Sequence, residues 1–133
     1  MPTTIIQPPG ASKPSGFSHG IVAQGGRTLY LAGQIADRED KSIVGLGDMM
    51  AQFDRALENF VGVVRAAGGE PTDVVKMTLY VLNKHAYLAD PKRTGEIYRK
   101  HFGKHFPTMT LAEVTGLATP GTLIEIDGIA VIG

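Results

Sequence analysis

Apolar residues return along this chain in two rhythms. Over residues 47–67, Met49, Met50, Phe53, Leu57, Phe60, Val61 and Val64 recur every three or four positions, while Asp54, Arg55, Glu58 and Arg65 fall mostly off that stripe. This spacing predicts an amphipathic helix. Asp48 suits its positive end, and Gly68-Gly69 supplies the left-handed residue that closes many helices. At this spacing the two methionines read as core. Elsewhere the period is two. Over residues 73–82, Val75, Met77, Leu79 and Val81 alternate with Lys76, Thr78 and Tyr80, which predicts a half-buried strand. Residues 19–24 and 28–33 flank Gly25-Gly26 and predict a tight hairpin. Residues 3–6 predict a short first strand that ends at Pro8-Pro9-Gly10, and the Ser/Pro/Gly-rich stretch 12–18 predicts a loop. A second helix is predicted over residues 90–102. Asp90 can cap it, Pro91 fits its first position, and Gly103 can close it. Gly95 weakens that helix by ~1 kcal/mol relative to alanine. Two last strands, 108–114 and 122–132, flank a turn containing Gly116, Pro120 and Gly121 and predict a closing hairpin.

The order strand-strand-strand-helix-strand-helix-strand-strand predicts an α+β fold, with a mixed six-stranded sheet and both helices on one face. At 133 residues the chain is expected to form a single domain, 1–133. The uncovered sheet face is expected to carry Leu, Ile, Val and Met. Such a patch usually marks an interface, so a homo-oligomer with ligand clefts between subunits is expected.

The last strand carries the most unusual chemistry. Met109, Leu111 and Glu113 share one face of the penultimate strand. Glu125 and Asp127 share a face of the last strand with Leu123, Ile129 and Val131. A carboxylate in an apolar strand is costly unless paired, hydrogen-bonded or wetted. Either this strand reaches solvent or an interface there, or it keeps Glu125 or Asp127 for a task.

Charge and composition narrow the partners. Thirteen Lys and Arg balance thirteen Asp and Glu, so no electrostatic footprint for nucleic acid or an anionic membrane is present. The absence of cysteine excludes a disulfide scaffold, a thiol nucleophile and thiolate metal sites. No apolar run approaches the ~18 residues of a membrane span, and a cytoplasmic protein is expected. His101 and His105 have zinc-pair spacing, but Gly103 and Pro107 end the helix around them, so no metal site is assigned. Gly25-Gly26 and Gly45-x-Gly47 lack the lysine and helix context of a phosphate loop and read as turns.

Several segments together resemble the Rid (reactive intermediate deaminase) family, also known as endoribonuclease L-PSP-like proteins. They are Ala32-Gly33-Gln34-Ile35, Ala66-Ala67-Gly68-Gly69, the run from Asp73 to Thr78, Phe106-Pro107-Thr108, and Ile124-Glu125-Ile126. The resemblance implies a chorismate-mutase-like fold and a homotrimer with three intersubunit ligand clefts. It also implies hydrolysis of an enamine or imine to a 2-oxo acid and ammonia, without metal or organic cofactor. In deaminating members an arginine two residues after the Pro of Phe-Pro holds the substrate carboxylate through paired charge-assisted hydrogen bonds. That position here is Met109. The family's pocket tyrosine, serine and cysteine correspond to Phe17, Ala32 and Leu111, and each change removes a polar atom. Gly33 remains as a possible backbone contact, and Glu125 remains where the family positions or activates water.

The expected ligand-binding set is therefore Phe17, His19, Ala32, Gly33, Met109 and Leu111, with Glu125 catalytic. His19 and His105 are further polar candidates near the cleft. A drier cleft of the same shape points to an apolar small molecule with Glu125 as its one ionisable contact, whose pKa such surroundings would raise. The alternative is a satisfied interface carboxylate beside a vestigial cleft. Three function classes follow: a deaminase, related hydrolase or tautomerase; a non-catalytic ligand-binding or protein-interaction trimer; and, weakest, an endoribonuclease.

Overall fold

The structure, a computed structural model, describes residues 3–133. These residues form six strands: β1 (Thr3–Ile6), β2 (Gly20–Ala23), β3 (Arg27–Gln34), β4 (Val74–Val81), β5 (Thr108–Glu113) and β6 (Ile124–Ile132). The helices are α1 (Met49–Ala66), a short α2 (Lys84–Leu88) and α3 (Pro91–Phe102). Asp48 caps α1 by accepting from the Ala51 amide at 3.1 Å. Gly68, at φ +87°, turns the chain out of the helix, and the Gly69 amide returns to the Val64 carbonyl at 3.0 Å. Asp90 caps α3 through the Arg93 amide at 3.2 Å, with Pro91 in the first helical position.

The α+β arrangement is as expected, with the six strands divided between a four-stranded mixed sheet, ordered β3-β6-β4-β5, and a two-stranded β1-β2 ribbon. Two predicted hairpins do not form. Gly25 and Gly26 both take positive φ and turn the chain, but the ladder groups of β2 go to β1, and β3 pairs with β6. At the other end β4 slots between β5 and β6, parallel to the first and antiparallel to the second. A parallel pair needs a long crossover, and α2 with α3 provides it. The α2 turn was not expected. Its cap is Asn83, whose side chain accepts from the His85 and Ala86 amides at 3.0 and 3.2 Å.

The helices cover one face of the four-stranded sheet. Along β6, Ile124, Ile126, Ala130 and Ile132 are buried against them, and β4 contributes Met77, Leu79 and Val81. Phe53, Leu57, Phe60 and Val64 of α1 fill the space above. The opposite face differs from expectation. The Leu and Met of β4 and β5 point to the helices, leaving Ile129 and Val131 among Tyr30, Lys76, Thr78, Tyr80, Glu125 and Asp127, all half-buried or exposed. That face is amphipathic rather than an apolar patch.

One buried polar residue ties the layers together. Gln52, fully buried on α1, donates to the carbonyls of Gly45 (3.2 Å) and Gly121 (2.9 Å) and accepts from the Leu123 amide at 2.8 Å. It joins the approach to α1 with the approach to β6. Gln52→Leu strands the Gly121 carbonyl and the Leu123 amide, while the Gly45 carbonyl keeps the Asp48 amide at 2.9 Å; a loss of about 2 kcal/mol is expected in urea unfolding, since each buried orphan costs of order 1–3 kcal/mol before relaxation.

A second link lies at the surface. Asp54 of α1 accepts from Lys100 Nζ and His101 Nε2 of α3, both at 2.6 Å. Burial pushes this carboxyl up, but the hydrogen bonds from Lys100 and His101 outweigh it and hold it below the usual value. A depressed carboxyl stabilises the fold above its unfolded pKa and loses that contribution as pH falls through its folded pKa. Asp54→Asn should therefore lower the unfolding free energy at pH 7 by under about 1 kcal/mol, given its exposure. The gap from the parent protein should close below about pH 4.

Candidate functional site

A cavity of about 550 Å³ opens on the helix-covered side of the sheet, between the loop before β2, helices α2 and α3, and strands β4 and β5. The register sets its floor. Met77 pairs with Met109 and Leu79 with Leu111, so Met109 and Leu111 stand on the helix side beside Leu79. The loop is pinned by Ser18, whose amide donates to the Pro107 carbonyl (3.0 Å) and whose hydroxyl donates to that of Phe106 (2.6 Å). Ser18 is itself buried, which sets Phe17 at the cavity mouth. Phe106 stacks on Tyr98 at 5.7 Å between ring centroids, and Tyr87 of α2 closes another wall.

Tyr98 is anchored by donating to the His105 carbonyl at 2.7 Å, and His105 Nε2 donates to the Val74 carbonyl at 2.7 Å. His105 is thus a strut between the cavity wall and β4, not a group facing the ligand. Burial pushes the Tyr87 hydroxyl up to about 12 and raises that of Tyr98 as well. Both remain neutral at ordinary pH. His19 is exposed, meets Phe17 edge to face at 5.6 Å and bonds the Ser12 carbonyl; it does not line the cavity.

Among the described residues Arg99 is the one charged residue on the wall. Sequence reasoning missed it and treated the cleft as having Glu125 alone as an ionisable group. The available signal is Gly95, one helical turn earlier, which by helix propensity alone marks only a weak helix position. A Cβ at Gly95 would lie 2.9 Å from Arg99 Nη1, so the guanidinium occupies the space that the glycine leaves open.

Glu125 lies elsewhere. It pairs across the ladder with Tyr80 and, with Asp127, occupies the uncovered face of the sheet. Gly33 is beside it: a Cβ there would collide with Glu125 Oε2 and stand 2.6 Å from Cδ. The carboxylate therefore rests against the β3 backbone, where the pairing with β6 slips between Leu31 and Gln34. Ala32, within the slip, is exposed. Tyr80 donates to Asp127 Oδ2 at 3.3 Å, and the negative charge of Asp127, then burial and this bond, raise the phenol's pKa. Within one chain, then, Phe17, Met109 and Leu111 come together on one side of the sheet. Gly33, Glu125 and Ala32 belong to the other side or its edge.

His101 bonds Asp54 and His105 bonds Val74, so their rings serve different partners. Among the described residues no group of three or more His, Asp or Glu is arranged to hold a metal.

Comparison with known proteins gives a consistent result. A model of the Endoribonuclease L-PSP family matches residues 10–132. The structure of the Rid-family protein YyfB from Yersinia pestis, described as of unknown function, superposes with a TM-score of 0.87 at 34% identity, covering 99% of this chain and 100% of that one. YyfA of the same organism, also described as a Rid-family protein of unknown function, gives 0.67 at 28% identity, with 98% and 100% covered. RidA from an Antarctic Psychrobacter gives 0.68 at 25% identity, with 97% and 98% covered.

Proposed function

Because this chain belongs to the Endoribonuclease L-PSP (Rid) family, we propose that it is a cofactor-independent small-molecule enzyme, an imine or enamine hydrolase or a tautomerase. It acts on a small reactive metabolite in clefts between the subunits of a homotrimer, with Glu125 as general acid and base. One observation carries this reading: the cavity and Glu125 lie on opposite sides of the same sheet. One chain cannot bring them together. A second copy can, by presenting the uncovered face with Glu125 to the cavity mouth, and heterologous contacts of that kind close into rings.

In the hydrolytic reaction water adds across C=N to give a carbinolamine, which expels ammonia and leaves the carbonyl. Glu125 takes the proton from the attacking water and returns it to the departing nitrogen, so no cofactor is consumed. Met109 provides no donor for a substrate carboxylate at the position where family deaminases carry arginine. Standard 2-imino acid deamination through β5 is accordingly not assigned.

A second reading, a ligand-binding trimer without turnover, draws on the absence of a proton-transfer group among Phe17, Met109 and Leu111. An RNA-cleaving role is the weakest, since the chain carries no net charge and the cavity wall a single cation. No helix among the described residues is long and apolar enough to cross a membrane, and we take the cytoplasm as the place of action.

Ammonia release from imines generated in situ by an amino-acid oxidase tests the catalytic reading, with an arginine-containing family member as control. Acceleration supports hydrolysis. Its absence, together with a ligand that raises the melting temperature unconverted, supports the binding reading.

A further inference from the structure

We propose that the cavity binds small carboxylates with an aromatic or branched apolar body, and that Arg99 on α3, rather than any residue of β5, holds the carboxylate. This rests on the cavity being the ligand site and specifies what enters it.

The guanidinium is uncommitted: among the described residues Arg99 makes no ion pair, whereas its neighbour Lys100 is engaged by Asp54. It also lies close against Gly95. Gly95 and Arg99 are four residues apart on α3 and so lie on one helical face. A Cβ at Gly95 would stand 2.9 Å from Nη1, 3.6 Å from Cζ and 3.7 Å from Nη2. Any other residue there would push the guanidinium away, and the helix carries a glycine costing ~1 kcal/mol at that point. Both residues border the cavity.

The rest of the wall sets the ligand's other end. Leu79, Met109 and Leu111 form an aliphatic floor, and Phe17 and Phe106 add aromatic faces. The Tyr98 hydroxyl is spent on the His105 carbonyl. A single planar, weakly hydrated cation at the mouth of such a cavity matches a carboxylate, which it can grip with two parallel hydrogen bonds. A phosphate carries more charge than one guanidinium satisfies, and the floor offers it no further donors. The ligand thus enters body first, with its carboxylate held at α3.

The test is calorimetric titration of the full chain with 3-phenylpropanoate and with 3-phenylpropanamide, an uncharged analogue of the same body, with inorganic phosphate as a control anion. The acid is expected to bind about tenfold more tightly than the amide, as a charge-assisted contact allows. Arg99→Met should erase that preference and leave amide binding within about twofold. Arg99 is exposed, so its variants should remain folded; Gly95→Ala, which displaces the guanidinium without removing it, should also reduce the preference. Equal binding of acid and amide by the parent protein would overturn the proposal. So would an acid preference that survives Arg99→Met, tighter binding of phosphate than of the acid, or no binding of either ligand. Turnover plays no part in this measurement. A protein inert in the ammonia assay that still prefers the acid keeps this site and loses only the catalytic reading.

Discussion

One methyl group added at Gly128 is expected to destabilise the protein by about 3 kcal/mol or more, the upper range of overpacking costs. Gly128 sits in the middle of β6, opposite Leu31 of β3 on one side and Met77 of β4 on the other. A Cβ there would collide with the Lys76 carbonyl oxygen and stand 2.9 Å from Phe60 Cζ and 3.1 Å from its Cε2. Neither obstacle can yield easily. The carbonyl belongs to the backbone of a central strand, just past the slip between Val74 and Lys76, and Phe60 is wholly buried on α1. Relief requires β4 to move away from β6, disturbing the core between them. Urea unfolding of Gly128→Ala should show a greatly lowered midpoint. Adding Phe60→Leu should restore only a minor part of the loss, because the carbonyl remains. A full rescue by that second change would assign the strain to the ring instead.

Helices and strands were legible wherever one residue type decided the local conformation. Asp48 and Gly68 bracket α1, Asp90 and Pro91 start α3, and Gly103 ends it. Pairing was less legible, because a turn signal reports that the chain reverses, not which strand lies alongside. Gly25-Gly26 does reverse the chain, yet β2 turns to β1; the 116–121 turn is followed by a strand lying across β4 from β5. Alternation showed that Met109 with Leu111, and Glu125 with Asp127, occupy single faces. It could not show that these faces point in opposite directions, since that depends on β4 lying between β5 and β6. The expected apolar outer face failed for the same reason: once Met77, Leu79, Met109 and Leu111 face the helices, the outside is left with hydroxyls, charges and two aliphatic residues. Arg99 was invisible because its role comes from the space beside Gly95, which no periodicity records. The family resemblance was readable because its segments are spread along the chain in order, and the match over residues 10–132 follows them.

Glu125→Gln is expected to reduce turnover by about 10²–10⁴-fold on whatever substrate the cleft accepts, the usual worth of a positioned acid–base group, while leaving thermal stability almost unchanged. Among the described residues its carboxylate makes no hydrogen bond that glutamine would break, and the two side chains have nearly the same shape. Met109→Trp should be equally inactive for another reason, since it fills the cavity floor. Because the proposed cleft takes its floor from one subunit and its carboxylate from the next, these two inactive proteins should complement each other. Unfolded together and refolded as a one-to-one mixture, they should recover about a quarter of parental activity, the fraction of clefts that draw an intact floor and an intact Glu125 from different partners. Gly33→Ala provides an independent approach. The group blocking a methyl there is the mobile end of Glu125, unlike the fixed carbonyl at Gly128, so the fold should tolerate the change while the carboxylate is displaced. Activity should then fall with little loss of stability. Were Glu125 a structural carboxylate only, Glu125→Gln and Gly33→Ala would turn over like the parent. Were the cleft contained in one chain, the refolded mixture would remain as inactive as its components.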